Sequence, residues 1–280
     1  ISLGLVGSEI CIRDSPGSPS TYSLPVRLSI SRRAILLSLP GGTSICGSQY
    51  RTPGLGSMMW EYSLDYLALL DQRRNRRLRD LSSPAELARL QERVREKLAL
   101  ADEFRFKMSS LNARHVATLV GSGFVVEKLI YESWPRFYVT ANLYRPTKTK
   151  GRLPAVIFSP GTDKAGKPSV PVQLFCARLA LSGFVVLTWD PVTLGERLQM
   201  WDSGRKASEM GNAAEEQRVL SNQCYLLGRN LMDYRVLDAT RAIDYLETRT
   251  DVDLHRIAMA GSASGGEETL RTAPLEPRIK

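Results

Sequence analysis

The stretch that decides the fold is Arg256-Ile257-Ala258-Met259-Ala260-Gly261-Ser262-Ala263-Ser264-Gly265-Gly266. Its apolar first half, Ile257 to Ala260, predicts a short strand. The strand runs directly into very small residues and then into the start of a predicted helix. Gly261 and Gly265 stand two positions either side of residue 263, where a strand and a helix that almost touch leave no room for side chains. The pattern therefore predicts a tight strand-to-helix turn with residue 263 at its apex.

A turn of this kind is a nucleophile elbow, in which one residue has a strained backbone and an exposed side chain. In the register that the glycines favour, that residue is Ala263, which carries no nucleophilic group. A shift of one residue would place Ser264 at the apex, between the small residues Ser262 and Gly266. A third register, with Ser262 at the apex, has Ala260 on one side and fits less well. The glycine spacing favours Ala263 over Ser264.

A phosphate-binding loop is the competing interpretation of these glycines. No Lys-Ser or Lys-Thr pair follows them, and Glu267-Glu268 would repel a phosphate at the start of the helix. The elbow is therefore the better interpretation.

Composition and charge bound the class of protein. The 280-residue chain is long enough for one large α/β domain, and its 43% hydrophobic and 24% charged residues are ordinary for a globular protein. The net charge of +9 raises nucleic acid as a partner. Much of the excess, however, is one cluster without interleaved aromatic residues, which favours a solvated helix face and predicts no nucleic-acid partner. The cluster comprises Arg73, Arg74, Arg76, Arg77 and Arg79.

Residues 1–57 are predicted to be a disordered leader or a non-native segment, because they are rich in Ser, Gly and Pro and show no sustained hydrophobic periodicity. Ile1 to Ser15 is similar to a translated adapter sequence. Ser31 to Leu37 resembles a twin-arginine export signal, with a basic pair before a short apolar run that Pro40 interrupts. Export is the one localisation that this segment suggests. No run of the sequence reaches the length of a membrane span.

Cysteine and histidine content predicts neither a disulfide framework nor a metal site, and no cofactor is expected. Two of the four cysteines fall in residues 1–57, and Cys176 and Cys224 are predicted to be small buried hydrophobes in helices. The two histidines, His115 and His255, are too few for an ordinary zinc site.

Residues 58–110 are predicted to form a helical hairpin that lies against the main domain. The pattern is helical from Met59 to about Lys107, and Ser83 to Glu86 form a capping box with Pro84 at the first helical position. One apolar face follows, marked by Leu87, Leu90, Val94 and Leu98.

Residues 111–280 are predicted to form a mostly parallel, doubly wound α/β sheet. The sheet is expected to begin near Phe124 with an antiparallel pair, after which strands and helices alternate. The predicted strands are 125–132, 138–144, 154–159, 184–189 and 257–260, and the predicted helices are 172–182 and 227–248. The second helix has one apolar face, formed by Met232, Val236, Ala239, Ile243 and Leu246.

Together these motifs resemble the acetylxylan-esterase-like and dienelactone-hydrolase-like branch of the α/β-hydrolases, over about Leu111 to Lys280. The motifs that carry the resemblance are Pro154 to Gly161, Val185 to Arg197, Asn222 to Gly228, Asp238 to Leu246 and Arg256 to Gly266. The resemblance implies a partial α/β-hydrolase fold with the first five strands. It also implies a carboxylester hydrolase that forms an acyl-enzyme and acts on a small-molecule or carbohydrate ester.

The resemblance assigns roles to particular positions. The nucleophile position falls on Ala263, a departure from the serine of the family. One oxyanion donor is the backbone N–H of Ser264. The other comes from Gly161-Thr162, where the family often has Gly-His, and a backbone N–H at Thr162 can serve whatever the side chain is.

In the family, the acid and the histidine follow the nucleophile on loops after later strands. We expect those strands to be absent from this sequence, whose last residue is Lys280. His255 is expected to precede the elbow strand and His115 to precede the sheet, so neither is expected to reach the elbow. We therefore expect the chain to be inactive, or to be a hydrolase-like binding module. Ile257 to Ala260 is also expected to form an apolar sheet edge that promotes aggregation.

Overall fold

The computed structural model describes residues 58–98 and 109–280. The predictions made for residues 1–57, including Cys11, Cys46 and the export-like segment Ser31 to Leu37, lie outside the described residues, as does the helical prediction for residues 99–107. The chain divides into two compact units, Ile1–Leu81 and Ser82–Lys280. None of the described helices is long and apolar enough to cross a membrane.

Two helices correspond to the predicted hairpin, but they fall in different units. In the first unit, α1 (Met58–Arg79) carries its five clustered arginines on exposed positions. In the second unit, α2 (Pro84–Leu98) has no buried residue, so the apolar face predicted for it is exposed or half-buried among the described residues.

The capping arrangement of α2 differs from the predicted one in one partner. The Glu86 amide donates to Ser83 Oγ at 3.3 Å, as a capping box requires. The Glu86 carboxylate, however, accepts hydrogen bonds from the amide and the hydroxyl of Ser82, at 2.8 and 3.0 Å. Both bonds favour the ionised form and hold the pKa of Glu86 below its usual value.

The second unit is built on a mixed sheet with the strand order β1-β2-β3-β5-β4-β8. The strands are β1 (Arg114–Val120), β2 (Phe124–Trp134), β3 (Phe137–Pro146), β4 (Leu153–Ser159), β5 (Val185–Trp189), β6 (Trp201–Asp202), β7 (Ala207–Ser208) and β8 (Val252–Gly261). The pairs β1–β2, β2–β3 and β3–β5 are antiparallel, whereas β4 is parallel to both β5 and β8. The remaining helices are α3 (Val170–Leu181), α4 (Ala213–Leu226), α5 (Leu231–Glu247) and α6 (Ser264–Thr272), and the short strands β6 and β7 pair with each other.

The α/β fold class is confirmed, with three corrections to the expected elements. The sheet begins at Arg114 rather than near Phe124, so it has six strands in the described region and His115 lies inside it. The residues of β1 are nearly all exposed, and its sequence therefore lacks the alternation that marks a half-buried strand. His255 lies within β8, which starts five residues before the predicted strand. The predicted helices omitted α4, although the prediction that Cys224 lies buried in a helix is confirmed there, where Glu216 is the other buried residue.

Two apolar layers, one on each face of the sheet, form most of the core, and a smaller third cluster comprises Val192, Cys224 and Leu231. Along β4 the side chains alternate between the two layers: Ala155 and Ile157 pack in the layer with α5, and Val156 and Phe158 in the layer with α3. Cys176 is fully buried in the α3 layer, which confirms its prediction as a small core residue. The apolar face predicted for α5 is also buried throughout, at Met232, Val236, Ala239, Ile243 and Leu246.

The sheet edge at β8 is partly covered, contrary to the expectation of a free edge. Ile279 forms an isolated parallel bridge with Ile257, and the Lys280 amide donates to the Ile257 carbonyl at 2.9 Å. The Ile257 side chain is 1% exposed and lies in the same core layer as α5, with Ile279 packed against that layer. In the described part of the chain β8 is the last strand on that side of the sheet.

Candidate active site

The apex of the turn between β8 and α6 is Ala263. Its backbone has φ 51° and ψ −120°, and it is the residue that directly precedes α6. Residues with a side chain rarely adopt positive φ, and such a conformation costs on the order of 1–3 kcal/mol. Ser264, the alternative apex residue, is instead the first residue of the helix. The exposed methyl group of Ala263 therefore occupies the strained position.

The two bracketing glycines are sterically required. A Cβ added at Gly261 would lie 2.1 Å from the carbonyl oxygen of Gly265. A Cβ at Gly265 would lie 2.3 Å from the carbonyl oxygen of Ser159, at the end of β4. Both obstacles are backbone atoms, so neither position accepts a side chain without movement of β4, β8 or α6.

The loop after β4 lies directly against the turn. Gly161 has φ 82°, and a Cβ there would meet the Ser262 carbonyl oxygen at 2.1 Å and the Ala263 Cβ at 3.4 Å. Thr162, the next residue, is exposed at the same end of the sheet. The Ser264 amide lies in the first turn of α6, where backbone amides have no partner within the helix. The structure thus brings the Gly161–Thr162 loop and the Ala263–Ser264 turn together.

A buried carboxyl group supports the turn from below. The Ser262 amide donates to the Ser159 carbonyl at 3.2 Å, and Ser159 Oγ donates to Glu268 Oε2 at 2.8 Å. Glu268 is completely buried, and its Oε1 has no hydrogen-bond partner among the described residues. Burial raises the pKa of Glu268 to about 8. This carboxyl is therefore mostly protonated at neutral pH.

A buried arginine approaches the turn from α5. Arg235 is 2% exposed, and its Nη1 donates to Ser264 Oγ at 3.4 Å. Its Nη2 donates to the Val192 carbonyl at 3.4 Å and to Gln217 Oε1 at 3.3 Å, whereas Nε has no partner in the described region. Burial lowers the pKa of Arg235, because it disfavours the charged form. Sequence reasoning missed this residue, although a charged residue directly preceding Val236 of the apolar face was the available signal.

Asp190, at the end of β5, holds the loop after β4 in place. Its carboxylate accepts hydrogen bonds from Thr140 Oγ1 at 2.9 Å, from the Lys167 amide at 2.8 Å and from the Glu196 amide at 3.2 Å. The Lys167 ammonium group forms an ion pair with Asp190 and another with Glu196, the latter at 2.5 Å. A Cβ at Gly166 would lie 2.1 Å from Asp190 Oδ1, so the loop closes tightly on this carboxylate. The Asp190-Pro191 motif noted in the sequence therefore positions the loop that contains Thr162.

The two histidines lie far from the turn. His115 is on β1, at the opposite edge of the sheet from β8, and five strand intervals correspond to roughly 24 Å. His255 is exposed in the first half of β8, whereas the turn follows the end of that strand. Neither is placed to act as a base at Ala263 or Ser264. The described residues contain no group of three or more His, Cys, Asp or Glu that could hold a metal ion.

Comparisons with known proteins agree with this architecture. The sequence is 28% identical over 176 residues to a Bacillus subtilis (strain 168) protein named "Putative hydrolase YtaP", a match covering 56% of this chain and 50% of that protein. The structure is similar to that of a "putative acetyl xylan esterase" from Bacteroides fragilis NCTC 9343, with a TM-score of 0.60, 20% identity, and coverage of 72% of this chain and 53% of the other. It is also similar to Methylesterase BT1017, with a TM-score of 0.53, 22% identity, and coverage of 68% and 38%. No protein-family model matches the sequence.

The sheet, the strained turn and these similarities define the class: the chain has the α/β-hydrolase fold. The resemblance to the acetylxylan-esterase-like branch, which the sequence motifs indicated, is confirmed at the level of the fold. The chain spans about half the length of the curated relative and of the first of these structures.

Proposed function

We propose that this chain carries the acyl-binding part of a carboxylester hydrolase, with Ala263 at the position of the nucleophile. The observation that carries the proposal is the backbone of Ala263, with φ 51° at an exposed turn between a strand and a helix. An elbow of this form presents a nucleophile above the sheet. The names of the similar structures, an acetyl xylan esterase and a methylesterase, support an ester as the substrate class.

The geometry supports specific roles in ester hydrolysis. A serine at position 263 would attack the acyl carbonyl and form an acyl-enzyme that water then hydrolyses. The developing oxyanion would be held by the backbone N–H of Ser264 and by an N–H of the loop at Thr162. Ala263 has no hydroxyl to attack with, so the 280-residue chain is expected to bind an acyl group without cleaving the ester.

A hydrolase-like binding module is the second candidate function. It is favoured by the same alanine, because the turn keeps its strained form and its close contact with Gly161 although it carries no nucleophile. In this function the site binds a ligand and releases it unchanged.

Ester turnover tests the proposal directly. The purified 280-residue chain, assayed with p-nitrophenyl acetate, should hydrolyse the ester at the rate of buffer alone. Turnover that Ser264→Ala abolishes would show that Ser264 is the nucleophile and that Ala263 does not occupy its position. A Ser262→Ala variant is the matched control, because this exposed serine belongs to the same turn.

A further inference from the structure

An unmatched positive charge lies beside the turn. In the same buried region Arg197 pairs with Asp238, with 2.5 Å between Nη1 and Oδ2 and both side chains almost completely buried. Arg235 has no ion pair in the part of the chain that the structure describes. Glu268 and Asp238 are the buried carboxyl groups that act on Arg235, but Asp238 pairs with Arg197 and burial raises the pKa of Glu268 to about 8. At neutral pH the buried cluster therefore carries a net positive charge at Arg235.

This charge is directed at the start of α6. The Arg235 guanidinium donates to Ser264 Oγ, on the first residue of the helix, and its buried Nε has no partner in the described region. A hydroxyl that accepts a hydrogen bond from a guanidinium keeps its own proton free to donate to another acceptor. The amides of the first helical turn and the positive end of the helix dipole add to the same field. Donors and positive charge thus converge at Ser264.

We propose that Arg235 and Ser264 form a subsite beside the turn that binds a carboxylate group. The inference deepens the proposed function, because it names the ligand of the same site as a carboxylic acid or an ester that also carries a carboxylate. The carboxylate accepts a hydrogen bond from the Ser264 hydroxyl, while the Ser264 amide stays available for the oxyanion of the ester. Arg235 lies beneath them, where it polarises the hydroxyl and stabilises the bound charge without direct contact.

The alternative role for Arg235 is purely structural, as a counter-charge for Glu268. The two side chains are not within ion-pair distance, and the three hydrogen bonds of Arg235 go to neutral acceptors at 3.3–3.4 Å. A structural counter-ion would be expected in a short, charge-assisted contact of about 2.7–2.9 Å. The observed geometry therefore leaves the charge of Arg235 unpaired within the described residues, so that it can act on a carboxylate bound at Ser264.

The test is a calorimetric titration of the 280-residue chain with sodium acetate at pH 6.5 and constant ionic strength. Acetamide, a neutral molecule of similar shape, is titrated in parallel. We expect saturable binding of acetate, weaker binding of acetamide, and a Kd for acetate raised roughly ten- to hundred-fold by Arg235→Met. Ser264→Ala should raise the Kd several-fold. Glucuronate, titrated in the same way, distinguishes a carbohydrate acid from a simple acid as the preferred source of the carboxylate.

The matched control is Arg241→Met. Arg241 is 3% exposed on the same helix but pairs with Asp244 at 2.7 Å. Arg241→Met therefore also removes a buried arginine from α5, but one that does not contact Ser264. Acetate should bind this variant with unchanged affinity. Circular dichroism establishes that each variant is folded; if Arg235→Met is not, the comparison rests on Ser264→Ala and Arg235→Lys.

Three outcomes would overturn the carboxylate subsite: no saturable acetate binding, equal affinity for acetamide, or an affinity that neither Arg235 nor Ser264 variants change. Failure of the proposed function is separate, because it appears as ester turnover. An inactive chain that does not bind acetate contradicts only the proposed subsite. An active chain whose acetate binding depends on Arg235 contradicts only the expectation that the chain does not hydrolyse esters.

Discussion

Ala263 determines what chemistry the turn can perform. Its positive φ is unfavourable for an alanine, so the conformation is imposed by the contacts of Gly161, Gly261 and Gly265 around it. At each of the three glycines the nearest obstacle to a side chain is a backbone carbonyl oxygen, which does not depend on the side chain at 263. The turn can therefore retain the shape of a nucleophile elbow without the nucleophile.

The field at this position can be measured with an introduced thiol. Ala263→Cys should give a thiol whose pKa lies about 1–3 units below the ordinary 8.5, because a helix N-terminus and nearby positive charge stabilise a thiolate. The measurement is the rate of alkylation by iodoacetamide against pH, followed by intact mass. Cys11 and Cys46 are replaced by serine in this background. Burial raises the pKa of Cys176 to about 12 and also raises the pKa of Cys224, which keeps both thiols less reactive than an ordinary cysteine.

Ser262→Cys in the same background is the control for the thiol experiment. Residue 262 is exposed and adjacent, but it precedes the apex and is not at the start of the helix. Its thiol should titrate near 8.5. Equal titration of the two thiols would contradict the assignment of residue 263 as the nucleophile position.

Glu268 should make the stability of the protein depend on pH. Its folded pKa of about 8 lies above the usual value of 4.5, so its contribution is fully present below pH 4.5 and is lost as pH rises towards 8. Between these two pH values the ionisation of Glu268 lowers the free energy of unfolding by up to about 1.4 kcal/mol per pH unit. Glu268→Gln should abolish this dependence. The variant should thus be more stable than the parent above pH 8. Urea unfolding between pH 5 and pH 9 measures both effects.

Glu267→Gln is the control for Glu268. Glu267 is the preceding residue of α6, exposed and paired with Arg271 at 3.0 Å. This variant should keep the pH slope of the parent. A parental slope in Glu268→Gln would show that another group controls the pH dependence.

At the scale of elements, the function-bearing contact is the one between β4, β8 and α6. The strand and the helix approach so closely that the Gly265 position touches the Ser159 carbonyl and leaves no space for a methyl group. Gly265→Ala should therefore lower the free energy of unfolding by about 3 kcal/mol. Thermal and urea unfolding measure the loss.

Gly266→Ala provides the matched comparison one residue further along α6. A Cβ there meets its nearest atom, the Gly261 carbonyl oxygen, at an ordinary 3.6 Å. Since alanine reduces the entropy of the unfolded chain, this change should be neutral or should stabilise by about 0.5–1 kcal/mol. Similar losses in both variants would mean that the turn is sensitive to any added side chain, rather than to the contact at Gly265.

At the scale of the whole molecule, the two strands that lead into the site differ in how well they are paired: β4 lies between two strands, whereas β8 pairs with one. The strand β8 pairs with β4 on one side, and on the other side the described residues provide a bridge at Ile257 alone. Amides of Ala258 to Ala260 should therefore exchange with solvent faster than those of Val156 to Phe158, which lie between two strands. Hydrogen exchange followed by mass spectrometry tests this in the 280-residue chain. Equal protection of both segments in a monomer would show that another segment covers β8.

The sequence by itself determined the parts of this protein that depend on local patterns. The turn at Ala263 was predictable because its glycine requirement lies within five residues, from Gly261 to Gly265. The strand β4 and the apolar face of α5 were predictable because burial leaves a continuous or periodic run of apolar residues. The strand β1 was missed because an exposed edge strand has no such constraint.

Tertiary structure alone decided which distant residues meet at the turn. Arg235 and Ser264 are 29 positions apart and contact each other because α5 and α6 pack in the same unit. Gly161 reaches Ser262 because β4 pairs in parallel with β8, a register that no local pattern encodes. Side-chain convergence depends on strand order and helix packing, which sum weak contacts over the whole chain. The shape of the turn is therefore a local property of the sequence, whereas its charge is a property of the fold.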